Sequence, residues 1–164
     1  MRNYQVLKDG FVTEINQYRR LHNALPLEES QSLNKFATAR AWVSCLNNPS
    51  GLKYSPKIGH LGLRHYIVHG NIIVKNMYEK FMLGYNWNAK RHVGRYDKYA
   101  QLIWKDTKKV GVGVCLKYGD IHVVIAFYPR GCIGDFSANV QPIGPKHIHM
   151  FGVFGRNSET NRTE

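Results

Sequence analysis

The sequence predicts an α+β domain in which about four helices cover a small antiparallel sheet. Helical spacing of apolar residues dominates the first two thirds of the chain, and two strands joined by a tight turn follow near residue 110. The chain has 164 residues, 43% of them hydrophobic. That length is sufficient for one domain with a substantial core.

Four helices are predicted where apolar residues recur every three or four positions. They cover about residues 5–22, the segment from Ser30 to Asn47, and about residues 72–83 and 96–106. The second helix is expected to bury a stripe formed by Leu33, Ala37, Ala41 and Cys45. Gly84 is expected to cap the third helix, because glycine readily adopts the left-handed conformation of a helix end.

The strands are predicted in the second half of the chain. Valines alternate with glycines over 110–114, and Tyr118-Gly119-Asp120 then turns the chain into the run IHVVIAFYP. This run is apolar on both faces, which indicates a central strand covered on both sides. Gly111 and Gly113 indicate that a neighbouring element packs closely on the first strand. Residues 50–70 are expected to form an irregular loop that leads to a short strand at 66–68.

The chain carries a net charge of +12 at pH 7, and the charge is unevenly distributed. Residues 51–110 contain 12 basic and 3 acidic residues, so most of the excess lies there. Such a field favours phospholipid head groups, nucleic acid, sulfated sugars or an acidic protein surface. A charge that serves only solubility is an equally simple interpretation.

The cysteine content and the first residues bear on location. Cys45, Cys115 and Cys132 cannot all pair within one chain, and we interpret them as core thiols in a reducing compartment. The amino-terminal residues lack the apolar core of a signal peptide, and no stretch approaches the roughly 20 apolar residues of a membrane span. Arg2 follows the first Met, so N-myristoylation is not expected. A cytoplasmic or peripheral-membrane location is predicted.

Several motifs occur in the order and spacing of one known family. They are NQYRRLHNALPL (16–27), LKYSP (52–56), YNW (85–87), YAQLIWKDTKKVGVGV (99–114) and VVIAFYPRG (123–131). With these motifs the chain resembles the CAP superfamily of cysteine-rich secretory proteins, antigen 5 and pathogenesis-related 1 proteins, especially its Golgi-associated, disulfide-free branch. The resemblance covers about residues 5–146 and implies an α-β-α sandwich. Residues 147–164 are then a C-terminal extension, expected to be partly disordered.

The resemblance also implies a central cavity, where family members typically place two histidines and two glutamates that can hold a divalent metal. The corresponding positions here are Tyr54, His60, Phe81 and Lys98, with Glu79 two positions from Phe81. A protonated lysine has no lone pair for a metal. We therefore expect a degenerate cavity without a metal or other cofactor. It is interpreted first as a site without function, and alternatively as a small cationic cavity that binds an anion such as phosphate.

A second implied feature is a surface for acidic phospholipids, since the Golgi-associated relatives are peripheral membrane proteins that bind them. The candidate residues are Lys90, Arg91, His92, Arg95, Lys105, Lys108 and Lys109. Each basic side chain near an acidic leaflet contributes on the order of 1 kcal/mol. The expected function is therefore non-enzymatic binding to an acidic lipid or membrane surface, or to a protein partner, with a homodimer as one form of the latter.

Alternative functions find less support in the sequence. A metal-dependent hydrolase needs the ligands that are missing, and no GxSxG, HExxH or Cys-His arrangement is present. Three nearby histidines, His60, His65 and His69, lack the spacing and the acidic partner of a metal site. A nucleic-acid or other polyanion binder is a further alternative, although the aromatic residues among the basic ones fit packing better than a stacking surface. Most of the superfamily is secreted, so an extracellular location is the alternative to a cytoplasmic one.

Overall fold

Helices lie on both faces of one sheet. The computed structural model describes residues 4–47, 52 and 54–150, so most of the predicted C-terminal extension lies outside the described residues. The α-helices of this part are α1 (Gln5–Leu21), α2 (Gln31–Leu46), α3 (Ile73–Gly84) and α4 (Phe136–Asn139). The strands are β1 (Glu28–Glu29), β2 (Gly59–Tyr66), β3 (Lys109–Lys117) and β4 (Asp120–Tyr128). Short 3-10 helices cover Ile67–Ile72, Asp97–Ile103 and Pro145–Met150.

The sheet has the strand order β1-β3-β4-β2. β3 and β4 form the predicted antiparallel hairpin, and β2 pairs antiparallel with the other side of β4. β4 is therefore central, as predicted, and every residue from Ile121 to Phe127 is buried. β1 pairs parallel with the start of β3, so the sheet is mixed rather than purely antiparallel.

Alternate residues of β4 face two helical layers, because side chains of a strand point to opposite faces. Val124 and Ala126 pack in a small cluster with α2. Val123, Ile125 and Phe127 join a larger core with α1, α3 and the 3-10 helix that precedes β3. The predicted α-β-α sandwich is confirmed.

α2 buries the predicted stripe of Leu33, Ala37, Ala41 and Cys45. Ser30 begins the helix, since its side chain accepts a hydrogen bond from the Leu33 N–H. The helix lies directly on β3, where a Cβ atom at Gly111 or Gly113 would overlap the backbone of α2. The close approach predicted from these two glycines is confirmed.

Cys45 and Cys115 form a disulfide that joins the end of α2 to β3. Their Cα atoms are 6.2 Å apart, within the usual range for a disulfide. The interpretation of both residues as core thiols is wrong, because the packing of α2 on β3 brings together two residues 70 positions apart. The disulfide also distinguishes this chain from the disulfide-free, Golgi-associated branch of the family. A reducing compartment can no longer be inferred from the cysteines, since disulfides persist in oxidising environments. Cys132 is a free thiol.

Three local predictions between residues 50 and 85 need correction. A strand, β2, occupies much of the segment predicted as a loop, because it pairs with β4 over its whole length. Residues 67 and 68, predicted to end a short strand, begin a 3-10 helix. Gly84 is the last residue of α3 rather than its cap, and Tyr85 follows in an extended conformation.

The predicted fourth helix is the 3-10 helix Asp97–Ile103. Its end bonds to other parts of the chain instead of continuing as an α-helix. The Leu102 and Trp104 carbonyls accept hydrogen bonds from buried Arg19, and the Asp106 N–H donates to the side chain of Asn139. These tertiary bonds replace the N–H to C=O bonds that an α-helix over 96–106 would need.

Candidate functional site

A cavity of about 240 Å³ opens beside α2. Its wall comes from α2, the start of β2, the 3-10 helix Asp97–Ile103 and the segment after β4. Arg40, Lys98 and Arg130 bring three basic side chains to the cavity, and His60 adds an imidazole. No acidic side chain is among the described residues that line it. This site is called the cationic cavity below.

Strand and helix geometry place two of these side chains. His60 is the second residue of β2, and strand alternation buries its neighbours Gly59 and Leu61 while His60 faces the cavity. Arg40 lies on α2, and its guanidinium carbon is 4.6 Å from the centroid of the Phe36 ring. This cation–π contact holds the stem of Arg40 against its own helix.

The other two basic residues are positioned by one buried amide. The Gln101 side chain accepts a hydrogen bond from the Gly131 N–H at 2.7 Å and donates one to Thr107 Oγ1 at 2.9 Å. Gly131 directly follows Arg130, and Gln101 is one 3-10 turn after Lys98. The same amide therefore fixes the backbone next to both Lys98 and Arg130.

The imidazole of His60 titrates in a positive environment. Partial burial lowers its pKa, and the positive charges of Arg40 and Arg130 lower it further. His60 is therefore expected to be neutral near pH 7, where it can donate or accept a hydrogen bond.

A second cavity, of about 520 Å³, adjoins the first and shares Arg40, His60 and Lys98 with it. Ser44, Arg64 and His122 add further polar side chains to its wall. The two cavities therefore lie side by side along β2.

The structure brings together three of the five predicted cavity positions. Tyr54, His60 and Lys98 line the cationic cavity. Phe81 is instead fully buried in the core, and Glu79 lies on α3 and is not among the lining residues. The projection of Glu79 and Phe81 onto the cavity is therefore corrected, because the inner face of α3 packs into the core.

Arg40 and Arg130 are cavity residues that the sequence did not indicate as such. Arg130 belongs to the VVIAFYPRG motif, and Arg40 directly precedes Ala41 of the predicted α2 stripe. A helical-wheel projection places Arg40 beside Ala37 and Ala41, at the edge of the buried face. Only the packing of α2 across the sheet shows that this edge meets Lys98 and His60.

The donors of the cationic cavity do not fit the metal that the family resemblance implies. Zinc sites use thiolate, imidazole and carboxylate ligands, whereas this wall offers one imidazole, three cations and the thiol of Cys132. Burial raises the pKa of that thiol, which disfavours the thiolate that zinc would need. No cluster of three or more His, Cys, Asp or Glu suited to a metal ion was found in the described part of the chain. His65 and His69 contact each other with ring centroids 5.7 Å apart, but no acidic ligand joins them in such a cluster.

Two potential nucleophiles lie near these cavities. Ser44 Oγ is 2.7 Å from His122 Nδ1, but Asp120, the nearest carboxylate on the same strand, is bonded to Arg64. Burial raises the pKa of the Cys132 thiol to about 12, so it stays protonated near neutral pH. Ser44 thus has a histidine partner, but no carboxylate among the described residues is hydrogen-bonded to that histidine, so the orienting third group of a catalytic triad is missing.

The predicted lipid-binding residues begin in a basic loop, residues 88–95. This loop faces the segment 134–142 across a groove of about 810 Å³. Lys90, Arg91 and Arg95 are exposed, and Val93 between them is 90% exposed. The loop therefore combines several cations with an apolar side chain at its surface.

His92 does not belong to this exposed surface. Its ring stacks between Tyr85, at 4.8 Å, and Phe136, at 4.3 Å, measured between ring centroids. Its side chain is only 9% exposed and its Nδ1 lies 3.8 Å from a carboxylate oxygen of Asp97. His92 anchors the basic loop to the domain, which corrects its prediction as a surface ligand.

The remaining predicted residues, Lys105, Lys108 and Lys109, are all exposed. The Lys105 N–H donates to the Asn139 carbonyl, which places Lys105 near the segment that walls the groove. Lys108 and Lys109 lie at the start of β3, where Lys109 pairs with Glu28 of β1. The backbone pairing therefore brings the two glutamates of β1 near these two lysines.

One known protein is similar to this chain in sequence, and two solved structures are similar to it in fold. Golgi-associated plant pathogenesis-related protein 1 of Homo sapiens is 28% identical over 137 residues, which cover 77% of this chain and 87% of that protein. The structure of BmVAL-1 is similar with a TM-score of 0.66 at 17% identity, covering 87% of this chain and 85% of the other. The venom allergen-like protein 4 of Schistosoma mansoni gives 0.59 at 17% identity, covering 87% and 95%.

The sequence profile of the cysteine-rich secretory protein family, CAP, matches residues 12–127. This match spans most of the chain, including both helical layers and the start of β4 through Phe127. The chain belongs to the CAP family of cysteine-rich secretory proteins.

Proposed function

We propose that this chain is a non-enzymatic CAP-domain protein that binds an acidic lipid surface through its basic loop. CAP proteins are generally binding proteins rather than enzymes. In this chain the Ser44–His122 pair lacks a carboxylate hydrogen-bonded to the histidine among the described residues, and the Cys132 thiol stays protonated. No helix within the described ranges is long and apolar enough to cross a membrane. Binding at the surface of a membrane would depend on exposed loops.

The observation that supports the proposal best is the composition of the basic loop. Lys90, Arg91 and Arg95 surround Val93, and Trp87 stands 38% exposed just before the loop. Cations attract acidic head groups, while a valine and the edge of an indole can enter the head-group region. The stacking of His92 holds the loop against the domain, so these side chains do not depend on a mobile segment for their positions.

The expected affinity is low. Three basic side chains contribute about 1 kcal/mol each near an acidic leaflet, and partial burial of Val93 adds on the order of 1 kcal/mol. A total near 4 kcal/mol corresponds to a dissociation constant of roughly 1 mM, so binding should be reversible and weakened by salt.

Nucleic acid is a less suitable partner for this surface. Tyr99 is only 5% exposed, and Tyr96 stacks on it with ring centroids 6.1 Å apart. Lys80 and Arg95 also lie over the ring of Tyr96. These rings are engaged in internal contacts and are not available as a stacking surface for bases.

The test is co-sedimentation of the full chain with acidic and neutral vesicles at low and high salt. The Lys90→Gln/Arg91→Gln variant should lose most binding to acidic vesicles, and high salt should release the wild type. Lys108→Gln/Lys109→Gln is the matched control, because it removes the same charge where β1 supplies glutamates. Equal binding to neutral and acidic vesicles, or equal loss in both variants, contradicts the proposal.

A further inference from the structure

We propose that the cationic cavity binds a phosphate group, carried by a free phosphate or phosphomonoester or by a lipid head group. The inference rests on the convergence of Arg40, Lys98 and Arg130 on one concave site whose described lining has no acidic side chain. It does not depend on membrane binding by the basic loop, which is a separate segment that contributes no residue to this cavity.

The basic residues of the two cavities differ in their ion pairs. Among the described residues, Arg64 forms a salt bridge with Asp120 and Lys75 one with Glu79, and a carboxylate oxygen of Asp97 lies 3.8 Å from His92 Nδ1. Neither Lys98 nor Arg130 takes part in one of them. Asp120 therefore neutralises Arg64 in the adjoining cavity, whereas no described residue that lines the cationic cavity is acidic. A concave site lined by charge of one sign concentrates ions of the other sign.

The basic groups of the cationic cavity are suited to binding phosphate oxygens. Guanidinium groups present paired N–H donors that match phosphate oxygens, and a lysine ammonium adds a compact charge. The cations come from different elements, and buried Gln101 fixes the backbone beside two of them. Arg40, Lys98 and Arg130 line the same cavity as His60, and the charges of the two arginines lower the pKa of that imidazole.

The volume of the cationic cavity limits the size of the group that it can hold. A volume of about 240 Å³ is below the range of pockets that hold drug-sized molecules, and it suits a phosphate group. The adjoining cavity of about 520 Å³ shares four lining residues with it and leaves room for the rest of a phosphomonoester.

The experiment is a titration of the full chain with inorganic phosphate at constant ionic strength, followed by two-dimensional NMR. The amides of Gly59 and Gly131, both in the cavity wall, should shift with saturation. Lys98→Gln should weaken binding about tenfold, since hydrogen bonds to charged groups contribute at least that factor. Lys98→Arg should retain most of the affinity because it keeps the charge and the donors.

Lys109→Gln is the control, because it removes one charge outside the cavity. Absence of saturable shifts in the wild type, or an equal loss of affinity in Lys98→Gln and Lys109→Gln, overturns the proposal.

Vesicles that contain a phosphatidylinositol monophosphate distinguish the two phosphate sources. If Lys98→Gln weakens vesicle binding as well, a lipid head group enters the cavity; if only phosphate binding is lost, the ligand is soluble. The basic loop is tested separately by the Lys90→Gln/Arg91→Gln variant, so the two proposals can fail independently.

Discussion

Arg19 is a fully buried cation whose guanidinium is hydrogen-bonded to backbone carbonyls. Its guanidinium donates to the carbonyls of Leu25, Leu102, Trp104 and Thr107 over distances of 2.6 to 3.2 Å. Burial lowers its pKa to about 10, which still leaves it protonated at neutral pH. One side chain thus ties α1 to the 3-10 helix that carries Lys98 and to the start of β3.

Replacement of Arg19 should destabilise the fold strongly. Arg19→Met keeps most of the side-chain volume but leaves buried carbonyls without donors, so the free energy of unfolding should fall by about 3 kcal/mol or more. Urea unfolding followed by circular dichroism measures this change. Arg20→Met is the matched control, because the neighbouring arginine is exposed and its loss should change stability by less than about 0.5 kcal/mol. Similar small changes in both variants would show that the buried network is not important.

His22 is a buried imidazole held in one tautomer. Its Nδ1 donates to the Gln141 carbonyl and its Nε2 accepts from the Tyr78 hydroxyl, both at 2.6 Å. Burial lowers its pKa to about 4, although the bond to the carbonyl acts in the opposite direction. Between pH 6.5 and about 4 the unfolded chain therefore binds a proton that the folded chain does not, and stability falls as the pH falls.

The contribution of His22 to this pH dependence should be large. From the difference between its folded and ordinary pKa values, acidification from pH 7 to 4 should remove up to about 3 kcal/mol of stability through this residue. Urea unfolding at a series of pH values measures the slope for the wild type and for His22→Gln. The variant should be less stable at pH 7 but show a shallower decline. Parallel slopes in the two proteins would mean that another group controls acid unfolding.

At the scale of elements, the contact between α2 and β3 is set by glycine. A Cβ at Gly113 would overlap the backbone of Ala37 and Thr38, and backbone cannot move aside as a flexible side chain can. Gly113→Ala should therefore lower the free energy of unfolding by about 1 to 3 kcal/mol or more. Gly62→Ala in β2 is the control, because its nearest neighbours would be 3.9 Å from the new atom and it should be nearly neutral. If both variants unfold at the same denaturant concentration, the close packing is not limiting.

The elements that the sequence predicted well are those with a one-sided pattern. The stripe of α2 and the hairpin of β3 and β4 carry clear periodicities, and their tertiary neighbours agree with them. β2 was not predicted because GHLGLRHY mixes glycine, histidine and arginine, and its second half is only partly buried at the edge of the sheet. Its strand conformation comes from pairing with β4, a partner more than 50 residues away.

At the scale of the whole molecule, the cavity shows what single-sequence reasoning cannot reach. The family resemblance led to Tyr54, His60 and Lys98, because these positions can be aligned through nearby motifs. Arg40 and Arg130 complete the site only after α2 has packed on the sheet and the chain has turned after β4. Lys98 removes a metal ligand from the family's pattern, and its two arginine neighbours turn a degenerate position into a basic concave site. The Cys45–Cys115 bond depends on the same packing and was missed for the same reason.

The residues that meet in this cavity should make it a poor zinc site. We predict that the purified chain, equilibrated with zinc and passed through a desalting column, retains far less than one zinc per chain. Zinc should be retained poorly because three basic side chains repel a divalent ion. In addition, the cavity keeps only one imidazole, His60, at the four positions where the family places metal ligands. Elemental analysis measures the retained metal. Lys98→His is the comparison, because it removes one cation, adds a ligand and should raise zinc retention relative to the wild type. Stoichiometric zinc in the wild type that disappears in His60→Ala would contradict the prediction and return the cavity to the metal-binding pattern of the family.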